Sequence, residues 1–162
     1  MISFFVAGKP QTKGSMIVRH RHGTAGGRCA CKNWVTEMAG GRLEEWTTLV
    51  ASYAARAMRG APALTGPVKV SMWFIFDRPA SHTAAQRKSP YVAVRKRYDA
   101  DKLARAVNDA LTQAAVWEDD SQAVIIYVEK LYADAAASRA GVTIIVEELG
   151  TDDAASKGET DG

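Results

Sequence analysis

Between Tyr98 and Val124 the chain reads YDADKLARAVNDALTQAAVWEDDSQAV: an acidic pair, an amphipathic stretch, and a second acidic pair ahead of an apolar run. Leu103, Ala106, Val107, Ala110, Leu111 and Ala114 repeat at the i, i+3, i+4 spacing of one helical face, which predicts a helix over about 102–114. In an extended segment residues two apart point the same way, so Asp99 and Asp101 aim their carboxylates at one point just before that helix. Clustered carboxylate oxygens suit Mg²⁺, which binds a few acids and leaves positions open for a substrate phosphate. Arg105, one turn beyond Asp101, is placed to hold that phosphate or to offset charge building on it. The outline is that of a site for cutting phosphodiesters. The alternative is that Asp101 caps the helix and that Asp119 and Asp120 are turn residues.

The same stretch resembles the core signature of the RusA family of Holliday junction resolvases: D-x-D-N-x-x-K, then a D-A-L-x-x-A-G helix, then a D-D-x-Q-V strand start. Asp99, Asp101 and Asp120 fall on the family's three metal-binding acids, with Asp119 a further candidate. Asp109-Ala110-Leu111 and Asp119-Asp120-Ser121-Gln122 match the rest. Lys102 stands where the family usually has Asn, Arg105 where it has its catalytic Lys, and Ala115 where it has Gly. Arg keeps the charge but cannot give up a proton, so the electrostatic role survives and a proton-donating role does not. The resemblance implies a homodimeric, Mg²⁺-dependent endonuclease, with Mn²⁺ able to substitute. It implies paired hydrolysis of four-way DNA junctions by a metal-activated water, and a bacterial or phage-encoded enzyme acting in the cytoplasm.

A chain of 162 residues, 47% of them hydrophobic, suits one domain with a real core. No apolar run reaches the length of a membrane span, and no export signal opens the chain. The formal charge is +3. Residues 150–162 carry Asp152, Asp153, Glu159 and Asp161 against Lys157, so that net −3 leaves +6 on the rest. Such a surface suits a polyanion.

Residues 1–149 are expected to form the nuclease domain and 150–162 a disordered acidic tail. A strand is expected at Ile2–Val6, followed by Gly8-Lys9-Pro10 and Gln11-Thr12-Lys13-Gly14-Ser15, which resembles the family's G-K-P-x-x-K-G segment. Residues 19–33 are an inserted hairpin or loop. There His20, His22, Cys29 and Cys31 are the right types for a tetrahedral Zn²⁺, although H-x-H-x6-C-x-C is not a common spacing; the alternative is a basic loop with two reduced thiols. A helix is expected over 42–58 with Leu43, Trp46, Leu49, Val50, Tyr53, Ala54 and Ala57 on one face. A strand at 67–77, the basic stretch 78–98, and two paired strands at 123–132 and 141–148 complete the reading. The fold class is α+β, a small mixed β-sheet with two main helices in the order β-α-β-α-β-β.

Lys9, Lys13, Arg87, Lys88, Arg95, Lys96, Arg97 and Lys102 are the candidate DNA-binding cations, the densest of them immediately before the acidic pair. One dimension does not fit a single chain. A helix over 102–114 is about 20 Å long, and the few residues after it reach only about 17 Å. Asp120 is therefore expected to join Asp99 and Asp101 of a second subunit, with two such helices antiparallel across a two-fold axis. Competing readings are a nuclease for flaps or forks, or a non-catalytic DNA-binding protein.

Overall fold

The computed structural model describes residues 1–14, 16–21, 23–25, 28–29, 31–37, 41–89, 92–95, 98–133 and 139–150, with residues 16–18, 24–25, 28–29 and 33–37 described by backbone alone. The acidic tail beyond 150 lies outside them.

Ile2–Ala7 (β1), Val68–Phe76 (β6), Ala123–Tyr132 (β7) and Gly141–Glu148 (β8) form a mixed sheet in the order β1-β8-β6-β7. Gly41–Met58 (α1) and Ala100–Gln113 (α3) pack on it. Alternation selects the helix-covered face: Val68, Val70, Met72, Phe74 and Phe76 of β6 and Val142, Ile144 and Val146 of β8 are all buried. Leu103, Val107 and Leu111 from α3 and Trp46 and Val50 from α1 close the core. On α1 the buried stripe is narrower than its spacing suggests, with Leu49 and Tyr53 more than a third exposed on its flank.

Residues 16–37 hold two antiparallel ribbons, Met16–Arg21 (β2) with Lys32–Glu37 (β5), and Thr24–Ala25 (β3) with Arg28–Cys29 (β4). The expected insertion is therefore a hairpin. The basic stretch carries a short helix, Ala84–Lys88 (α2), started by a capping box between Thr83 and Gln86. Arg78 secures this stretch by donating to the carbonyls of Ala133, Gln86 and Ser89.

The pairing expected between 123–132 and 141–148 is corrected. β6 lies between them, parallel to β7 and antiparallel to β8. The reason is the connection: parallel neighbours need a crossover, and α3 supplies one between β6 and β7. The strand richest in buried side chains takes an interior slot and β7 is left toward the edge.

α3 ends in a full Schellman motif. Val116 N–H donates to Leu111 O and Ala115 N–H to Thr112 O, both at 3.0 Å. Ala115 has φ +52°, the left-handed region, which is the physical reason for glycine there in the family pattern. Ala115→Gly is expected to stabilise the protein by about 1 kcal/mol and to raise Tm by about 2–4 °C, read by calorimetry.

Candidate active site

The chain enters α3 through a constrained turn. Tyr98 sits at φ +59°, a left-handed conformation costly for a bulky residue. Its ring stacks on Phe76 (centroids 4.3 Å apart, planes 11° apart) and its carbonyl accepts from Lys130 Nζ at 2.8 Å. Both contacts hold the backbone where Asp99 begins. Neither Lys130 nor Phe76 stands out in the sequence, because their role depends on β6 and β7 lying side by side.

Asp99 is the N-cap of α3, with extended backbone, and its side chain makes no capping hydrogen bond. An N-cap aspartate ordinarily accepts from its own helix. Here Oδ2 instead meets Lys102 Nζ at 2.8 Å. That hydrogen bond and charge hold the Asp99 carboxyl below the usual carboxylate range, with a smaller contribution from the charge of Lys130. Asp101 lies inside the first turn, so the extended geometry expected for the pair is corrected: the helix starts at Ala100. The two carboxylates leave the chain from one helix N-terminus, where the partial positive charge of the backbone favours anions. Asp101 and Arg105 are exposed and have no hydrogen bond or ion pair with a described residue.

Two of the predicted DNA contacts are drawn into this end of the fold. Lys13 N–H donates to Lys102 O at 3.1 Å, and its ammonium pairs with Asp109 at 2.5 Å, docking the 8–14 loop along α3. Lys9 lines a cavity of about 470 Å³ shared with Tyr98, Phe76 and Arg78. Lys88 and Arg95 are exposed, while Arg87 donates to Ala80 O at 2.6 Å. Lys96 and Arg97 lie outside the described residues.

The second acidic pair sits at the other end of α3. Asp119 caps a 3-10 turn, Asp120–Gln122: its Oδ1 accepts from Ser121 N–H at 2.8 Å, and hydrogen bonding to Ser121 lowers its pKa. The turn reading thus holds for Asp119, and one of its oxygens is already engaged. Gln122 fixes the turn from both sides. Its Oε1 accepts from the amides of Glu118 and Asp119, and its Nε2 donates to Leu64 O and Gly66 O at 2.9 and 3.0 Å. What remains is Asp120, exposed and unpaired among the described residues.

The fourteen residues of α3 span about 21 Å at 1.5 Å per residue, with Asp99 and Asp101 at its start and Asp120 beyond its end. Among the described residues no three His, Cys, Asp or Glu side chains come together to hold a metal ion. A single chain therefore does not bring Asp120 together with Asp99 and Asp101.

The expected zinc array is only partly in view. His22 lies outside the described residues, as does the side chain of Cys29. Cys31 is disulfide-bonded, which corrects the expectation of reduced thiols and withdraws its sulfur as a zinc ligand in this form.

No helix of the described residues is long and apolar enough to cross a membrane. No curated protein matches the chain. A family model described as endodeoxyribonuclease RusA matches residues 8–146, which takes in the docked N-terminal loop, both acidic ends of α3, strands β6 and β7 and most of β8. The chain belongs to the RusA endodeoxyribonuclease family.

Proposed function

We propose that this endodeoxyribonuclease resolves four-way DNA junctions by paired, Mg²⁺-dependent phosphodiester hydrolysis, as a homodimer in which Asp99 and Asp101 of one subunit work with Asp120 of the other. The observation that carries this reading is the start of α3, where an N-cap aspartate leaves its helix uncapped and an ammonium takes its carboxylate instead.

The donor set fits a hard divalent cation. Mg²⁺ is bound through one or two carboxylates together with waters and substrate oxygens, and Asp99 and Asp101 supply those two. Lys102 Nζ places a positive charge 2.8 Å from the Asp99 carboxylate, the side chain that would hold the cation. Bound Mg²⁺ would supply Lewis-acid stabilisation of charge developing on the phosphate oxygens. Arg105, unpaired and one turn from Asp101, holds the phosphate electrostatically. Its guanidinium stays protonated throughout, so no proton passes through it. Exposed Lys88 and Arg95, with Lys9 in the cavity beside Tyr98, are the described cations that meet the DNA backbone, giving affinity that falls steeply with salt.

Two equivalent sites related by a two-fold axis match a substrate that is cut on two opposing strands. The deciding experiment compares nicking of a four-way junction, a fork, a flap and a linear duplex at equal concentrations, with Mg²⁺ and with EDTA. Preferential cleavage of the junction, lost on chelation, is expected. Faster cutting of flaps or forks would replace the junction with those substrates, and binding without Mg²⁺-dependent nicking would make the protein a non-catalytic binder.

A further inference from the structure

Beside Asp99 the fold leaves a hollow that the hydrolytic chemistry does not use. It is the cavity of about 470 Å³ that Lys9 lines, and its apolar wall is aromatic: Phe76 from the end of β6, Tyr98 from the turn before α3, and Tyr132 from the end of β7. Its volume lies in the range of ligand pockets, about 300–1,000 Å³. The rings are held in place by the fold itself. Tyr98 is stacked on Phe76, and Tyr132 meets His82 with centroids 4.7 Å apart and planes at 87°. Tyr98 also keeps its left-handed backbone at φ +59°. Strain of this kind gathers at ligand clamps.

The polar groups decide what can enter. Arg78 lines the cavity, but its guanidinium is already engaged by the carbonyls of Ala133, Gln86 and Ser89. Asp77 lines it too, and its exposed side chain has no hydrogen bond or ion pair with a described residue. An ionised carboxylate only accepts hydrogen bonds, and it repels a phosphate. The occupant that suits this lining brings N–H donors and a flat face, and a nucleobase has both.

We infer that the cavity receives one unstacked nucleobase of the strand whose phosphate lies at Asp99 and Asp101, stacked on the aromatic wall and read by Asp77. The inference rests on the nuclease reading and adds a base-specific contact to it.

Placement follows from the chain. Tyr98 and Asp99 are consecutive, with Cα atoms about 3.8 Å apart, so a phosphate held by Asp99 has its nucleoside beside the wall. Extruding a base costs least where it is already unpaired. A branch point offers such a base and a linear duplex does not, so the pocket favours branched DNA. Asp77 also ranks the bases. Guanine presents N1–H and its N2 amino group side by side to the two carboxylate oxygens, whereas cytosine and adenine present one amino group each. Thymine presents a single N–H between two carbonyl oxygens that a carboxylate repels, and it ranks last.

The test measures binding of the full chain to a labelled four-way junction by fluorescence anisotropy in EDTA, so that cleavage does not enter. Each nucleotide around the branch point is replaced in turn by an abasic residue, in both equivalent strands. Loss of the base at one position is expected to weaken binding about tenfold, the scale of one base–aromatic stack. Tyr132→Ala is expected to bind the intact junction about tenfold more weakly and to be indifferent to that abasic position. Tyr132→Phe, which keeps the ring, restores both the affinity and the sensitivity and so separates lost stacking from misfolding. Wild type prefers guanine to thymine at the sensitive position, and Asp77→Asn binds them equally, because an amide donates as well as accepts. The absence of any sensitive position, an equal abasic loss in Tyr132→Ala, or a guanine preference that survives Asp77→Asn overturns the proposal. The nuclease reading is decided separately by Mg²⁺-dependent nicking of the unmodified junction. Failure of the base pocket leaves that nicking in place, and failure to nick leaves the binding scan standing.

Discussion

Replacing Asp101 by Asn is expected to lower the rate of junction nicking by about 10²- to 10³-fold, because metal stabilisation of phosphoryl charge contributes several kcal/mol and each 1.36 kcal/mol is tenfold in rate. Melting temperature should hardly move. Asp101 is exposed, pairs with no described residue and is not the N-cap, so the folded state loses little when its charge is removed. Single-turnover nicking of a labelled four-way junction, measured beside thermal melting of the same preparation, checks both halves. A purely structural acid gives the opposite pattern, a lowered Tm with cleavage retained.

Mixing two inactive chains is expected to restore activity. In a dimer of an Asp99→Asn chain with an Asp120→Asn chain, one site carries both substitutions and the other carries neither. Random exchange at equal amounts makes about half the dimers mixed, so about a quarter of all sites are wild type in their acids. Each mixed dimer has one competent site. The recovered activity should therefore appear as nicks in a supercoiled cruciform substrate rather than as paired cuts. If the acids of one chain work together, no mixture recovers anything beyond its inactive components.

The position of the acids was legible in the sequence because aspartates bracketing an amphipathic helix leave few arrangements open. The helix period places α3 within two residues of its start, and the helix length by itself sets Asp101 and Asp120 toward opposite ends of it. Strand order and distant contacts are long-range features that no local pattern carries. The order of β6, β7 and β8 depends on which strand buries more side chains and on α3 acting as a crossover. The roles of Lys130 and Gln122 depend on strands meeting residues far away in sequence, and an isolated lysine or glutamine gives no sign of that. The ion pair of Lys13 with Asp109 is likewise a long-range contact that a loop lysine gives no sign of in the sequence.

The departures from the family pattern divide in the same way. Ala115 is explained by the backbone alone, as a left-handed residue without glycine's freedom. Lys102 is explained only by its neighbour, since its ammonium lies against Asp99.

α3 is clamped at both ends, by Tyr98 and Lys130 at one and by the Schellman motif and Gln122 at the other. Hydrogen bonds at both ends resist lengthening or pivoting of this rod. On the proposed dimer, the stagger between the two incisions is then a property of the protein, gauged by the turns of one helix, and a junction must open until its scissile phosphates match that fixed calliper.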